Sequence, residues 1–160
     1  MAKFGVQLWQ EEFDYNGLRG TWREIGDMGY DSVWIYDHFY SVSYTTSRSI
    51  LEAWTLLASL AVETNRIRFG VLVTCNSYRF PSLLAKIAAT VDVISGGRLE
   101  FGIGAGWHEE EYDAYGILFP DAKIRIEQLA EAIELMKRIW TREKANFQGK
   151  YYTIRDLVSF

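Results

Sequence analysis

The chain has 160 residues, a formal net charge of −4, 49% hydrophobic residues and 16% aromatics. Such a chain is long enough to bury roughly 70% of its unfolded surface in one domain, which excludes disorder. Acids and bases are interspersed with no basic stripe, so nucleic acid is not an expected partner. The lone cysteine, Cys75, excludes an internal disulfide framework.

From the amino terminus, Phe4, Val6 and Leu8 alternate with Gly5, Gln7 and Trp9, which predicts a first strand over residues 3–9. Asn16–Gly17 reads as a turn, and Leu18, Trp22, Ile25 and Met28 recur at helical spacing. Ser32–Tyr36 is an apolar strand that runs straight into Asp37 and His38. A polar loop, Phe39–Ser49, follows. Leu51, Trp54, Leu57, Ala58 and Ala61 mark a second helix, and residues 66–74 a third strand. Pro81 suits the first turn of a third helix carrying Leu84, Ile87, Ala88, Val91 and Ile94 on one face.

A fourth strand is predicted from Leu99, Phe101 and Ile103, ending in Gly104, Ala105, Gly106, Trp107 and His108. The glycines at 102, 104 and 106 either let a ligand approach the backbone or let a strand end pack closely. Their G-x-G-x-G spacing does not match the dinucleotide fingerprint. Glu109–Glu111 reads as a solvated loop or a helix start favoured by the helix dipole. Ile126, Leu129, Ile133, Met136 and Trp140 predict a fourth helix, and the tail two extended pieces around Gly149–Lys150. No apolar run approaches membrane-spanning length and the start lacks a signal-peptide core, so a soluble cytoplasmic protein is expected.

Strict alternation of strand and helix implies a parallel α/β sheet with right-handed crossovers. A doubly wound sheet and a (β/α)8 barrel both satisfy it, and both place ligands at the carboxyl ends of strands. Residues 36–38, 74–79 and 104–111 sit at such ends, which predicts one shared site for a small-molecule ligand. His38 can serve as general acid or base near neutral pH, or can be a packed histidine at a strand end. A metal centre of Asp37, His38, His108 and a glutamate is the competing reading. No H-x-H pair and no H-E-x-x-H helix accompanies it, and no metal is expected.

Three blocks, WIYDHF at 34–39, RIRFGVLVTCNSYRFPSLLAKIAATVDVISGGRLEFGIGAGW at 66–107 and EEEYDAYGI at 109–117, resemble the bacterial luciferase-like monooxygenase superfamily. Within it the chain is most similar to the branch that uses the deazaflavin coenzyme F-420. The resemblance covers essentially residues 1–160 as one domain. It implies a TIM-barrel fold of which this chain is the amino-terminal half, about four βα units.

The resemblance further implies a hydride transfer between reduced coenzyme F-420 and an organic substrate, with His38 catalytic at the coenzyme's reactive ring. Asp37, Val73, Thr74, Cys75, Asn76, Ala105, Gly106, Trp107 and Glu110 are its implied coenzyme contacts. A non-proline cis bond or bulge is implied close to Leu72–Val73. Trp107 stands where sugar-phosphate dehydrogenases of the branch carry a glutamate, which argues against glucose-6-phosphate chemistry. Two alternatives stay open: FMN-dependent monooxygenation on the same fold, and a non-catalytic truncated or engineered half-barrel. A half-barrel exposes strand edges and Val, Leu, Ile and Phe of its inward face, so a homo-oligomer is expected.

Overall fold

A computed structural model of the chain describes residues 2–42 and 50–159. Most of the polar loop expected at 39–49 therefore lies outside the described residues. The chain divides into two compact units. The first comprises Met1–Thr74 and Thr90–Ile103, the second Cys75–Ala89 and Gly104–Phe160.

In chain order the elements are β1 (Gly5–Gln7), α1 (Tyr15–Asp27), β2 (Ser32–Ile35), α2 (Ala53–Leu60), β3 (Arg68–Cys75) and α3 (Pro81–Ser95). They continue as β4 (Leu99–Gly104), α4 (Glu109–Tyr115), α5 (Ala122–Thr141), β5 (Ala145–Gln148) and β6 (Thr153–Leu157). A single 3-10 turn, Gln10–Glu12, follows β1. Four strands form one sheet in the order β1-β2-β3-β4. β1 with β2 and β2 with β3 are parallel. The β3–β4 bonds from Phe69 N–H to the Arg98 carbonyl (3.2 Å) and from Asn76 N–H to that of Gly104 (3.0 Å) advance together, as in a parallel pair. This is the α/β architecture of four consecutive units of a (β/α)8 barrel.

The local chemistry explains the boundaries. Asp14 caps α1 by accepting from Gly17 N–H at 2.8 Å, so Asn16 and Gly17 belong to the first turn of α1 rather than to a separate turn. Glu52 accepts from the N–H groups of Trp54 (3.2 Å) and Thr55 (2.7 Å) at the start of α2. After α3 the chain turns through Gly96 (φ 70°) and Gly97 (φ 84°), and Gly97 N–H bonds the Asp92 carbonyl at 2.9 Å.

In the first unit, Leu18 and Trp22 of α1, Leu57 and Leu60 of α2, Val33 and Ile35 of β2, and Phe69 and Val71 of β3 are buried. Trp22 packs on Phe69 with ring centroids 5.8 Å apart, and Trp54 on Phe101 at 5.9 Å. Arg98, just before β4, binds the carbonyls of Ala61 (2.6 Å), Ile67 (3.0 Å) and Ser95 (2.8 Å) and the hydroxyl of Thr64 (3.2 Å).

The opposite face of the sheet is more polar than the sequence expectation of exposed aliphatics, which only Leu72 and Val73 among the described residues of β3 meet. Strand alternation sends Val33, Ile35, Phe69 and Val71 into the core with the helices. It leaves Gln7, Ser32, Trp34, Arg68 and Glu100 on the other side. Arg68 pairs there with Glu100, Gln7 Nε2 reaches the Leu72 carbonyl at 3.4 Å, and Trp34 Nε1 donates to Ser32 Oγ at 3.0 Å. Gly70 makes room for that indole: a Cβ on it would lie 2.8 Å from the Trp34 ring and 2.1 Å from the Glu100 carbonyl oxygen.

In the second unit, Leu84, Ala85 and Ala88 of α3, Tyr112 of α4, and Leu135, Met136 and Ile139 of α5 are buried, as are Ala145, Phe147 and Ile154 of the β5–β6 hairpin. That hairpin is antiparallel, with Gly149 and Lys150 in its turn as the sequence suggests. The turn is fastened to α5. Glu131 accepts from the N–H groups of Lys150 (2.7 Å), Tyr151 (2.9 Å) and Tyr152 (3.3 Å), and Glu127 from Tyr151 Oη (2.6 Å) and Lys150 Nζ (2.9 Å). Among the described residues no helix is long and apolar enough to cross a membrane.

Candidate functional site

The candidate residues of the first unit follow β2 and close β3. Past β2, Tyr36 and Asp37 are buried and His38 is half-buried. The His38 ring meets Tyr36 edge-on at 5.4 Å, and Tyr36 meets Trp9 edge-on at 6.1 Å. What fixes this segment is the buried Gln10. Its Nε2 donates to the Tyr36 carbonyl at 3.0 Å, and its Oε1 accepts from Tyr36 N–H at 3.2 Å. Its neighbour Glu11, also buried, accepts from Ser41 Oγ and from Val42 N–H at 2.9 Å. Two polar side chains after β1 thus shape the loop that carries His38.

In β3 the bond Leu72–Val73 is cis, where the resemblance implied one. Leu72 and Val73 are 45% and 44% exposed, an apolar surface late in the strand. Thr74 beside them is wholly buried, and its Oγ1 has no hydrogen-bond partner among the described residues.

The second unit continues the strand with Cys75 and Asn76. Cys75 is buried, with Sγ 3.1 Å from Tyr112 Oη. Asn76 is 1% exposed. Its Nδ2 donates to Tyr152 Oη at 3.2 Å, while its Oδ1 meets no donor among the described residues. A buried amide satisfied at one end only is costly unless a ligand completes it.

After β4, Ala105 and Gly106 are half-buried and Trp107 is 65% exposed. Trp107 stacks on His108 with centroids 4.9 Å apart and planes 22° apart. Gly106 (φ 77°) has a packing reason: a Cβ there would lie 1.9 Å from Tyr112 Oη and 2.8 Å from Cys75 Sγ. Gly102, in the first unit, likewise lies against the Val71 carbonyl oxygen, at 2.6 Å from a would-be Cβ. At these two positions close packing explains the glycine.

The acidic triplet divides. Glu109 and Glu110 are exposed in the first turn of α4, as a solvated helix start would be. Glu111 is not solvated; it is wholly buried. Its Oε2 accepts from Tyr78 Oη at 2.5 Å and lies 3.5 Å from His108 Nδ1. Burial, and then the bond to Glu111, pushes the Tyr78 phenol far above its ordinary range. Burial raises Tyr112 as well. Gln10, Glu111, Tyr78 and Tyr152 are the functional-region residues that sequence reasoning missed. Only Glu111 left a signal, one helical turn beyond His108 and next to apolar Tyr112.

A hollow of about 350 Å³ lies elsewhere in the first unit, lined by Arg23, Asp27, Glu63, Asn65 and Arg66 among others. Arg23 there pairs with Glu63 at 2.5 Å, and Arg66 binds the carbonyls of Gly26 (3.0 Å) and Tyr30 (3.1 Å). It lies before β3 begins, away from the carboxyl strand ends where parallel α/β folds bind ligands.

The model of the luciferase-like monooxygenase family matches residues 1–160, and the chain belongs to that family. An F420-dependent glucose-6-phosphate dehydrogenase of Kineococcus radiotolerans is 32% identical over 159 residues, covering 99% of this chain and 47% of that protein. The chain thus spans about half the length of the curated relatives it matches. Two solved structures share the fold. An F420-dependent secondary alcohol dehydrogenase in complex with an F420-acetone adduct superposes with a TM-score of 0.87 at 23% identity, over 99% of this chain and 49% of its own. The oxygenating constituent of a Pseudomonas putida type II Baeyer–Villiger monooxygenase in complex with FMN gives 0.78 at 22% identity, over 96% and 43%.

Proposed function

We propose that this chain supplies the coenzyme-ring contacts of a deazaflavin-dependent oxidoreductase, which moves a hydride between reduced coenzyme F-420 and a small organic substrate. What supports the reading is found in each unit by itself: among the described residues, Thr74 Oγ1 in the first unit and Asn76 Oδ1 in the second are buried without partners. Each is an atom that a polar group of a ligand would satisfy. When bound, the coenzyme supplies the hydride and the chain orients it.

In this reading Leu72 and Val73 offer the apolar surface for a ring, and Thr74 and Asn76 its hydrogen bonds. Cys75, Ala105, Gly106, Trp107 and Glu110 are the further proposed contacts, and Asp37 binds coenzyme. His38 handles the proton next to the reactive carbon, its ring orientation set through Tyr36 and Gln10. Trp107, in place of a sugar-phosphate enzyme's glutamate, argues for a substrate other than glucose 6-phosphate, despite the relative's name. FMN is the second candidate, since a protein of the same fold holds it. The activity is proposed for a closed barrel containing this chain, reached by further strands or by a second copy docked at the β1 and β4 edges.

Parallel fluorescence titrations with F-420 and FMN test this. Saturable quenching of F-420 at lower concentration than FMN supports the reading. The reverse order favours monooxygenation, and no binding of either overturns both.

A further inference from the structure

Asn76 and Tyr152 are joined across 76 positions of sequence, and the phenol arrives on a hairpin rather than on a barrel strand. The hairpin's placement is built in detail. Glu131 and Glu127 of α5 hold the turn by three backbone N–H groups, one phenol and one ammonium. Phe80 then meets the Tyr152 ring edge-on at 5.6 Å. Burial raises the Tyr152 phenol above its ordinary range, so the group stays a neutral hydroxyl through the physiological range.

We infer that Tyr152 is a positioning residue: its hydroxyl engages Nδ2 of the Asn76 amide and so presents Oδ1 as an acceptor to a ligand carrying an N–H or O–H donor. An amide whose two ends are a donor and an acceptor can rotate about its terminal bond and present either one. With Nδ2 committed to Tyr152, the acceptor is the end left without a partner among the described residues. The backbone cannot relax the choice, because Asn76 N–H is tied to the Gly104 carbonyl at 3.0 Å. The matching ligand group is an imide N–H such as flavin and deazaflavin rings carry. This deepens the proposed function and rests on it for the identity of the ligand, though not for the amide's orientation.

The test is Tyr152→Phe, which removes the hydroxyl and keeps the ring against Phe80. In the coenzyme-free protein, the Asn76 side-chain amide protons, assigned by their loss in Asn76→Ala, should exchange with water faster in Tyr152→Phe. Coenzyme affinity should fall roughly tenfold, the worth of one lost hydrogen bond. In an Asn76→Ala background the same change should cost nothing further, because Tyr152 acts only through Asn76. Unchanged Asn76 exchange in Tyr152→Phe overturns the inference. So does an undiminished effect in the double variant. If the parent protein binds neither F-420 nor FMN, the proposed function fails, while the exchange measurement still decides the role of Tyr152. Should Tyr152→Phe not fold, Glu131→Ala, which releases the turn, must loosen the same Asn76 protons.

Discussion

Gln10 pairs with Tyr36 as a strand would, donating to its carbonyl at 3.0 Å and accepting from its N–H at 3.2 Å. One side chain therefore satisfies both backbone groups of a residue just past the end of β2. Replacing Gln10 by Ala removes both of these bonds to buried backbone groups, at a cost of about 2 kcal/mol or more. Because His38 packs on Tyr36, the His38 ring resonances should broaden or shift in Gln10→Ala, even where the protein stays folded. Denaturant unfolding and histidine NMR check the two halves of this prediction.

Arg98 is the fastener of the first unit. Its guanidinium ties the end of α2, the approach to β3 and the end of α3, and lies over the Phe69 ring at 5.2 Å. Arg98→Met should destabilise the protein by about 3 kcal/mol. Arg98→Lys should recover little, since an ammonium cannot reproduce the planar fork. Equal stability of the lysine variant and the parent would remove the argument.

The buried phenols set an alkaline limit. Burial raises Tyr78, Tyr112 and Tyr152 above the ordinary value of 10.0. A raised folded-state value means that the stabilisation is intact below the unfolded value and is lost as pH climbs past it. Spectrophotometric titration of the ten tyrosines should show three that lag and ionise only with alkaline unfolding. Stability should fall steadily above pH ~10. Tyr78→Phe should flatten part of that fall.

Self-association is expected through backbone edges rather than an aliphatic face. The sheet face opposite the helices carries Gln7, Ser32, Trp34 and the Arg68–Glu100 pair, which leaves the exposed Leu72 and Val73 of β3 as a small apolar contribution to pairing. The edges of β1 and β4 are the remaining drive. Sedimentation at micromolar concentration should show a dimer that Phe4→Lys, at an exposed position beside β1, weakens. A monodisperse monomer would contradict this.

Much of the fold was legible because its periods are clean. Val33 and Ile35 alternate, and Leu18, Trp22 and Ile25 step by a helical turn, so strand and helix were assigned from local pattern. The α1 start was misplaced because Asn16–Gly17 is turn chemistry that Asp14 overrides as a cap. The inward face was expected to be more apolar than it is, Leu72 and Val73 apart, because sequence gives the alternation of a strand but not which phase meets the helices. At the candidate site, the residues closing β3 were singled out from their position at a strand's carboxyl end. Gln10, Glu111, Tyr78 and Tyr152 were not, because each acquires its role from a partner between 26 and 76 positions away.

The most direct test of the central claim is a crystal structure of the protein with coenzyme F-420 bound. The ring should lie against Leu72 and Val73, with hydrogen bonds to Thr74 Oγ1 and Asn76 Oδ1. Coenzyme bound instead in the hollow beside Arg23 and Arg66, with Thr74 and Asn76 untouched, would contradict it.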